Sequence, residues 1–428
     1  MTGGPSGIPK LLRGQMAAVE RSLQRDRCAV IMGPHQVGKS ELAKAIASRF
    51  GERHSTLKLE EPRDREALEN YADIISNNAG RLLVLDDVHF MPECLVWVRE
   101  QCEHFKQFGT DIGQFLLLGA NPLMRKLVTD HLATLSGQIH LSPIHLLELN
   151  DTEYAAGNGS PDGAIEVQSE TQKPPSPAPL ATQDELWLRG GFPSSLWDEE
   201  GSERWRERYL EGWYDREVPK LNAALGAGDI QIFFRRVAAH HAGEYLPNEH
   251  LPKDLRMCVG HFERAGLIRQ LRPWPKPINK QECPHSKIFI RDSGLFHALR
   301  QVWTMADVRA DARLHGDSWE GFCIENLISA AGGRAEAFHF RASMAPPGEQ
   351  DEVDLILKFG GTLVVVECKA GDGSLSRGFY RICEELKPAH RIAIRDVESY
   401  VREDVAHIPL GVAVQLVREI AIEEGHHT

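Results

Sequence analysis

Gly33-Pro34-His35-Gln36-Val37-Gly38-Lys39-Ser40 is the stretch on which the fold turns. It fits the spacing GxxxxGK[ST] and follows the apolar run Cys28–Met32, CAVIM. Residues 41–50, ELAKAIASRF, then read as a helix. Strand, glycine-bearing loop and helix in that order make an anion cradle. Successive backbone N–H groups face a phosphate at a helix N-terminus, where the dipole also favours negative charge. In that frame Gly33, Pro34, His35, Gln36, Val37 and Gly38 wrap the phosphates. Lys39 reaches the β- and γ-phosphates, and the Ser40 hydroxyl binds Mg2+. The competing reading is a chance glycine turn before a helix. The expectation is an ATP site that uses Mg2+.

Working outward, residues 33–150 alternate strand-like runs (LKL, LLVLD, FLLLG) with helical ones, the pattern of a parallel α/β sheet. Leu82–Asp87, LLVLDD, is an apolar strand ending in two acids. Such a strand delivers a carboxylate to the sheet edge where the loop also sits. Asp86 is expected to hold Mg2+, and Asp87 to polarise the attacking water. Phe115–Leu118 leads into Gly119-Ala120-Asn121, where Asn121 can sense the γ-phosphate. Arg125, Arg216, Arg235 and Arg236 are open candidates for an arginine finger.

The chain has 428 residues and a formal net charge of −12, which excludes a protein that holds nucleic acid by bulk charge. At about 150 residues per domain, two or three domains are expected. Eight scattered cysteines show no CxxC spacing, so neither a zinc ribbon nor a redox pair is indicated. The first residues lack the pattern of a signal peptide, and no apolar run approaches the roughly 18 residues of a membrane span. A cytoplasmic protein without membrane contact is expected. Its segments read as 1–150, a P-loop domain; 151–183, an acidic Pro/Ser-rich insert; 184–230, a helical lid; 231–310, a winged-helix-like segment and connector; and 311–428, a separate α/β unit.

The last unit carries a second acidic pattern. Asp354 lies in EVDLILKF, and Glu367 and Lys369 lie in LVVVECK. Alternation along a strand puts Glu367 and Lys369 on one face and Cys368 on the other. A hairpin through residues 359–361 can lay Asp354 beside Glu367. Two carboxylates and a lysine on one face suit a Mg2+ site with a nearby cation. An acid from the helix WEGFCIENLI, Glu320 or Glu325, can complete it. The competing reading is an edge hairpin whose charges face water, or a nuclease fold without activity.

Residues 231–280 carry a net charge of +5, with nine basic and four acidic residues. The stretch reads as helices followed by an apolar strand, with Lys253, Arg256 and Arg264 placed for phosphates. The alternative is a packing module. His240, His241, His250 and His261 lack zinc spacing and read as surface or capping residues.

In order along the chain stand GPHQVGKSEL, LLVLDDVHF, LLLGAN, LSPIHLLELND, LRGGFPSSL, YLEGWYDREVP, SKIFIRDSGLFHAL, WEGFCIENL, EVDLIL and VVVECKA. This arrangement resembles a prokaryotic ATPase family. In that family an AAA-type P-loop domain precedes a winged-helix-like segment and a C-terminal domain with a PD-(D/E)XK nuclease-like core. The resemblance implies ATP and Mg2+ at Gly33, Gly38, Lys39, Ser40 and Asp86. It also implies a nuclease-like, restriction-endonuclease-type site at Asp354, Glu367 and Lys369. The sequence departs from the family at Asp86-Asp87 with His89, and at Gly119-Ala120-Asn121. The expected function is an ATPase whose nucleotide state controls a C-terminal domain that cuts or binds DNA, with an oligomer allowed. The alternative is a nucleotide-switched regulatory protein with an inactive nuclease-like scaffold.

Overall fold

Continuous apolar runs such as CAVIM and LLVLD suit strands buried on both faces, as the central strands of a parallel sheet are. The computed structural model describes residues 13–69, 74, 78–109, 113–119, 127–128, 130–132, 138–140, 145, 181–197, 201–221, 225–275, 284–342, 351–371, 373–395 and 398–425. The chain divides into two units: Met1–Pro143 with Arg264–Gly266, and Ile144–Glu263 with Leu267–Thr428.

In the first unit, helix α1 (Arg13–Asp26) leads into β1 (Cys28–Met32) and α2 (Lys39–Ser48). There follow β2 (His54–Lys58), α3 (Pro62–Glu69), β3 (Leu82–Asp86), α4 (Cys94–Phe108), β4 (Gln114–Gly119) and β5 (Gln138–His140). The five strands are ordered β2-β3-β4-β1-β5, and every pairing is parallel. Strand β4 is thus inserted between the strand that feeds the loop and the strand that ends in Asp86. Every residue of β1 is buried, as are Leu82 to Leu85 of β3. Edge strand β2 is largely exposed, which fits its HSTLK sequence. Register aligns Met32 with Gly119 and Lys58 with Asp86, so the strand ends share one edge.

In the second unit come helices α5 (Gln183–Arg189), α6 (Ser202–Leu221), α7 (Ala227–Ala239) and α8 (Arg256–Arg264). Strands β6 (Ile268–Pro273) and β7 (Lys287–Ile290) precede α9 (Ser293–Leu299) and α10 (Ala312–Ala330). Then follow β8 (Glu336–Arg341), β9 (Glu352–Phe359), β10 (Thr362–Cys368), α11 (Arg377–Leu386) and β11 (His390–Ile394). Strands β12 (Tyr400–Arg402) and β13 (Val405–Ile408) and helix α12 (Leu410–Gly425) complete the unit. Eight strands form one sheet ordered β12-β13-β11-β10-β9-β8-β6-β7. The turn at residues 359–362 makes β9 and β10 antiparallel neighbours, with Gly360 at φ 55°, a left-handed value that suits glycine. β10 and β11 run parallel through α11. The pair β6–β7, read from sequence within a separate middle segment, joins this sheet through β8.

Asp292 joins the helices of this unit. Its Oδ1 accepts the Leu295 N–H at the start of α9 (2.8 Å) and its Oδ2 accepts the Gly191 N–H (2.8 Å). Gly190 has φ 78° and lies so close that a Cβ there would meet Asp292 Oδ1 at 2.2 Å. His241, expected at the surface, is buried at 5% exposure and stacks on Phe296 with ring centroids 4.0 Å apart. Its Nδ1 accepts the Ile290 N–H, and Gly321 leaves room for its Nε2. No described helix is long and apolar enough to cross a membrane.

Candidate functional site

The loop after β1 curls through two left-handed residues, Gln36 (φ 60°) and Gly38 (φ 103°), which turn the chain into α2. Gly33 N–H bonds to Gly119 O at 3.3 Å and ties the loop to the end of β4. Lys39 is 7% exposed, and its Nζ donates to Pro34 O (2.8 Å) and Gly33 O (3.1 Å). Burial lowers its ammonium to about 8, although Asp87 and Asp86 act in the opposite direction. Ser40 Oγ donates to Asp86 Oδ2 at 3.0 Å, and Asp86 Oδ1 accepts the Asp87 N–H at 3.0 Å. A hydroxyl and a carboxylate in contact at the sheet edge are the hard oxygen donors that Mg2+ takes, with waters and phosphate oxygens supplying the rest. These residues fit the ion, and bound there it would supply charge neutralisation for the phosphates.

Asp87 follows at φ 55°, and burial first, then Asp86, raises its carboxyl above the ordinary range. His89 Nδ1 lies 3.9 Å from Asp87 Oδ1. Asn121 and Arg125 lie outside the described residues, as does most of the insert expected at 151–183. Arg235 and Arg236 are exposed on α7.

The second acidic group gathers on β7, β9, β10 and α10. Lys369 Nζ donates to Glu367 Oε1 at 2.7 Å, and Asp354 Oδ2 accepts the Cys368 N–H at 2.8 Å. Glu367 is 5% exposed, and its Oε2 has no hydrogen-bond partner among the described residues. Burial, then the nearby Asp354, raises Glu367 to about 8 against the pull of Lys369. Asp354 and Glu320 meet at a residue that motif reading missed. Lys287 of β7, 1% exposed, places its Nζ 2.8 Å from Glu320 Oε1, 2.9 Å from Glu352 Oε1 and 3.5 Å from Asp354 Oδ1. Burial opposes charge on Lys287, but the three carboxylates hold its ammonium well above the ordinary value. Burial likewise opposes charge on Glu352, but Lys287 overrides it and keeps the carboxyl below its usual range. Burial raises Glu320, against the pull of Lys287.

Glu325 stands apart from this group. Its carboxylate is held by Arg269 Nη2 at 3.0 Å, Arg291 Nε at 2.9 Å and the Nε of Arg269. Burial would raise it, but the two guanidinium groups hold it down at about 2. Glu352 had a signal in the sequence, since it lies two residues before Asp354 on one strand and shares its face. Lys287 had none, because its partners come from other strands and a helix.

The donor set does not fit a divalent metal, because the ammonium of Lys287 sits at the point toward which the carboxylates converge. Among the described residues, no three of His, Cys, Asp and Glu are arranged to hold a metal ion.

An AAA domain model matches residues 25–150. That span holds the glycine loop, Lys39, Ser40 and Asp86. Two models of domains of unknown function match residues 180–306 (DUF8612) and 315–411 (DUF4143). The chain is 26% identical over 394 residues to the uncharacterized protein Rv2008c of Mycobacterium tuberculosis, covering 89% of this chain and 79% of that one. The uncharacterized protein Mb2031c of Mycobacterium bovis matches equally. A Walker-type ATPase of Pyrococcus abyssi is 13% identical with a TM-score of 0.40, over 68% of this chain and 95% of its own. The RuvB branch migration motor of Thermotoga maritima is 19% identical with a TM-score of 0.30, over 62% of this chain and 89% of its own. At these scores neither likeness establishes a shared fold.

Proposed function

We propose that the protein is a Mg2+-dependent ATPase whose nucleotide state governs a C-terminal unit of nuclease-like architecture, one that binds DNA rather than cutting it. The observation that carries the nucleotide reading is the contact of Ser40 with Asp86 at 3.0 Å beside the buried ammonium of Lys39. A cation site and a phosphate-directed lysine then share one sheet edge, fed by backbone N–H groups at the start of α2. Asp87 is next in line to orient a water.

The nuclease-like reading is supported by the order α10–β8–β9–β10–α11–β11 and by Asp354, Glu367 and Lys369 on adjacent strands. Lys287 among the carboxylates favours a scaffold over a cutting site. DNA binding is supported by the basic segment, where α7 and α8 precede the antiparallel β6–β7 pair and Arg235, Arg236 and Lys253 are exposed.

The test is nucleotide binding and phosphate release with and without Mg2+. Lys39→Ala should weaken ATP binding by about 10- to 100-fold, the worth of a charge-assisted contact to phosphate. Unchanged affinity in that variant sinks the nucleotide reading. Cutting of plasmid or single-stranded DNA with Mg2+ or Mn2+, abolished by Asp354→Ala, would sink the scaffold reading alone.

A further inference from the structure

We propose that Lys287 is the resident cation of the C-terminal carboxylate cluster, a side chain standing where a divalent metal ion would otherwise bind. Glu320, Glu352 and Asp354 come from a helix and a neighbouring strand, and each has an oxygen directed at one Nζ, at 2.8, 2.9 and 3.5 Å. Buried carboxylates that converge need a cation among them. Here the chain itself supplies it.

The other oxygens of the cluster are largely engaged. Asp354 Oδ2 takes the Cys368 N–H, Glu367 Oε1 takes Lys369, and Glu352 Oε2 lies 3.9 Å from Arg341 Nε. Glu320 offers a contact through Oε1 only, and Glu367 Oε2 has no hydrogen-bond partner among the described residues. The few oxygens left over cannot hold a hard divalent ion, which takes six or more oxygen ligands.

Lys287 is also fixed in place. All four residues of β7 are buried, and Phe289 and Ile288 are 0% exposed. Its strand pairs with β6 on one side, while residues 241–244 bridge to it at His241↔Ile288 and Glu244↔Lys287. Ala242 N–H bonds to Ile288 O at 2.9 Å and Ile288 N–H to Gly243 O at 3.1 Å. The backbone that carries the ammonium is therefore held in the sheet, with the side chain itself 1% exposed. Take the ammonium away, and three carboxylates face one space lined with hard oxygen donors. The uncompensated charge left behind is what a divalent ion would neutralise.

Mn2+ uptake by the full chain, followed by electron paramagnetic resonance, tests this. Asp86→Asn first removes the cation site of the nucleotide loop, so the outcome does not depend on ATP binding. That background chain should take up no Mn2+ at millimolar concentration. Adding Lys287→Ala should add one Mn2+ per chain, and a further Asp354→Asn should remove it. Lys287→Met, which keeps the apolar stem, serves as a second variant and should behave as Lys287→Ala does. Mn2+ uptake by the background chain that Asp354→Asn abolishes would overturn the proposal. Failure of both folded Lys287 variants to take up Mn2+ would also overturn it. If neither variant folds, the background titration alone decides.

Discussion

Ser40 and Asp86 are 46 positions apart, yet both were legible from sequence, because each sits in a short motif whose chemistry is local. Lys287 was not. Its meaning depends on Glu320, Glu352 and Asp354, which reach it only once the sheet has formed. The choice between Glu320 and Glu325 was open for a geometric reason. At 3.6 residues per turn, five positions separate two side chains by roughly 140° around a helix. One faces Lys287 and the other faces Arg269 and Arg291. Asp87 carries the residue-scale prediction. Its backbone is left-handed at φ 55°, a region that Asn also tolerates, so Asp87→Asn removes the charge without straining the turn. Phosphate release should fall by about 100-fold or more, with KM for ATP little changed. Unaltered turnover would assign the water to another group.

Among elements, β1, β3 and β4 of the first unit were readable because they are continuous apolar runs, whereas the three-residue β5 left no pattern. The place of the β6–β7 pair was not readable either. It meets β8 at two residue pairs, Arg272↔Phe338 and Pro273↔His339, too short a join to leave a pattern. The packing of α9 against the chain after α5 is tighter still. A Cβ on Gly294 would lie 2.0 Å from Arg189 O and 2.3 Å from its carbonyl carbon. Backbone atoms cannot rotate aside as a long side chain can. Gly294→Ala should therefore cost about 1–3 kcal/mol or more of stability, the range for overpacking. A melting temperature equal to that of the parent would show that α9 can shift without penalty.

For the molecule as a whole, the buried histidines of the second unit set the acid limit. Burial lowers His145, His297 and His339 to about 4 and His241 to about 3. A lowered histidine binds fewer protons folded than unfolded, so stability falls as pH drops from about 6.5 toward those values. Asp292, Glu320 and Glu367 are raised by burial, to about 6 for Asp292 and about 8 for Glu367, and act with the opposite sign. Their contribution is full below the unfolded carboxyl range and is lost as pH rises through the folded value. His250, His315 and His407 are lowered by burial as well and Asp317 is raised, so lowered histidines still outnumber raised carboxyls and the net sign is a loss of stability on acidification. The urea midpoint should drop between pH 6.5 and 5. A flat or rising midpoint would mean that these imidazoles are charged in the folded protein.

Lys287 also bears on where the chain can be divided. A fragment starting at residue 311 or 315 keeps the helix and strand that carry Glu320, Glu352 and Asp354 but leaves their shared ammonium behind. Such a truncation removes the one cation that three converging carboxylates share and leaves their mutual repulsion uncompensated. The smallest autonomous piece of this half of the protein therefore begins upstream of β7, and its boundary is set by charge balance rather than by sequence pattern.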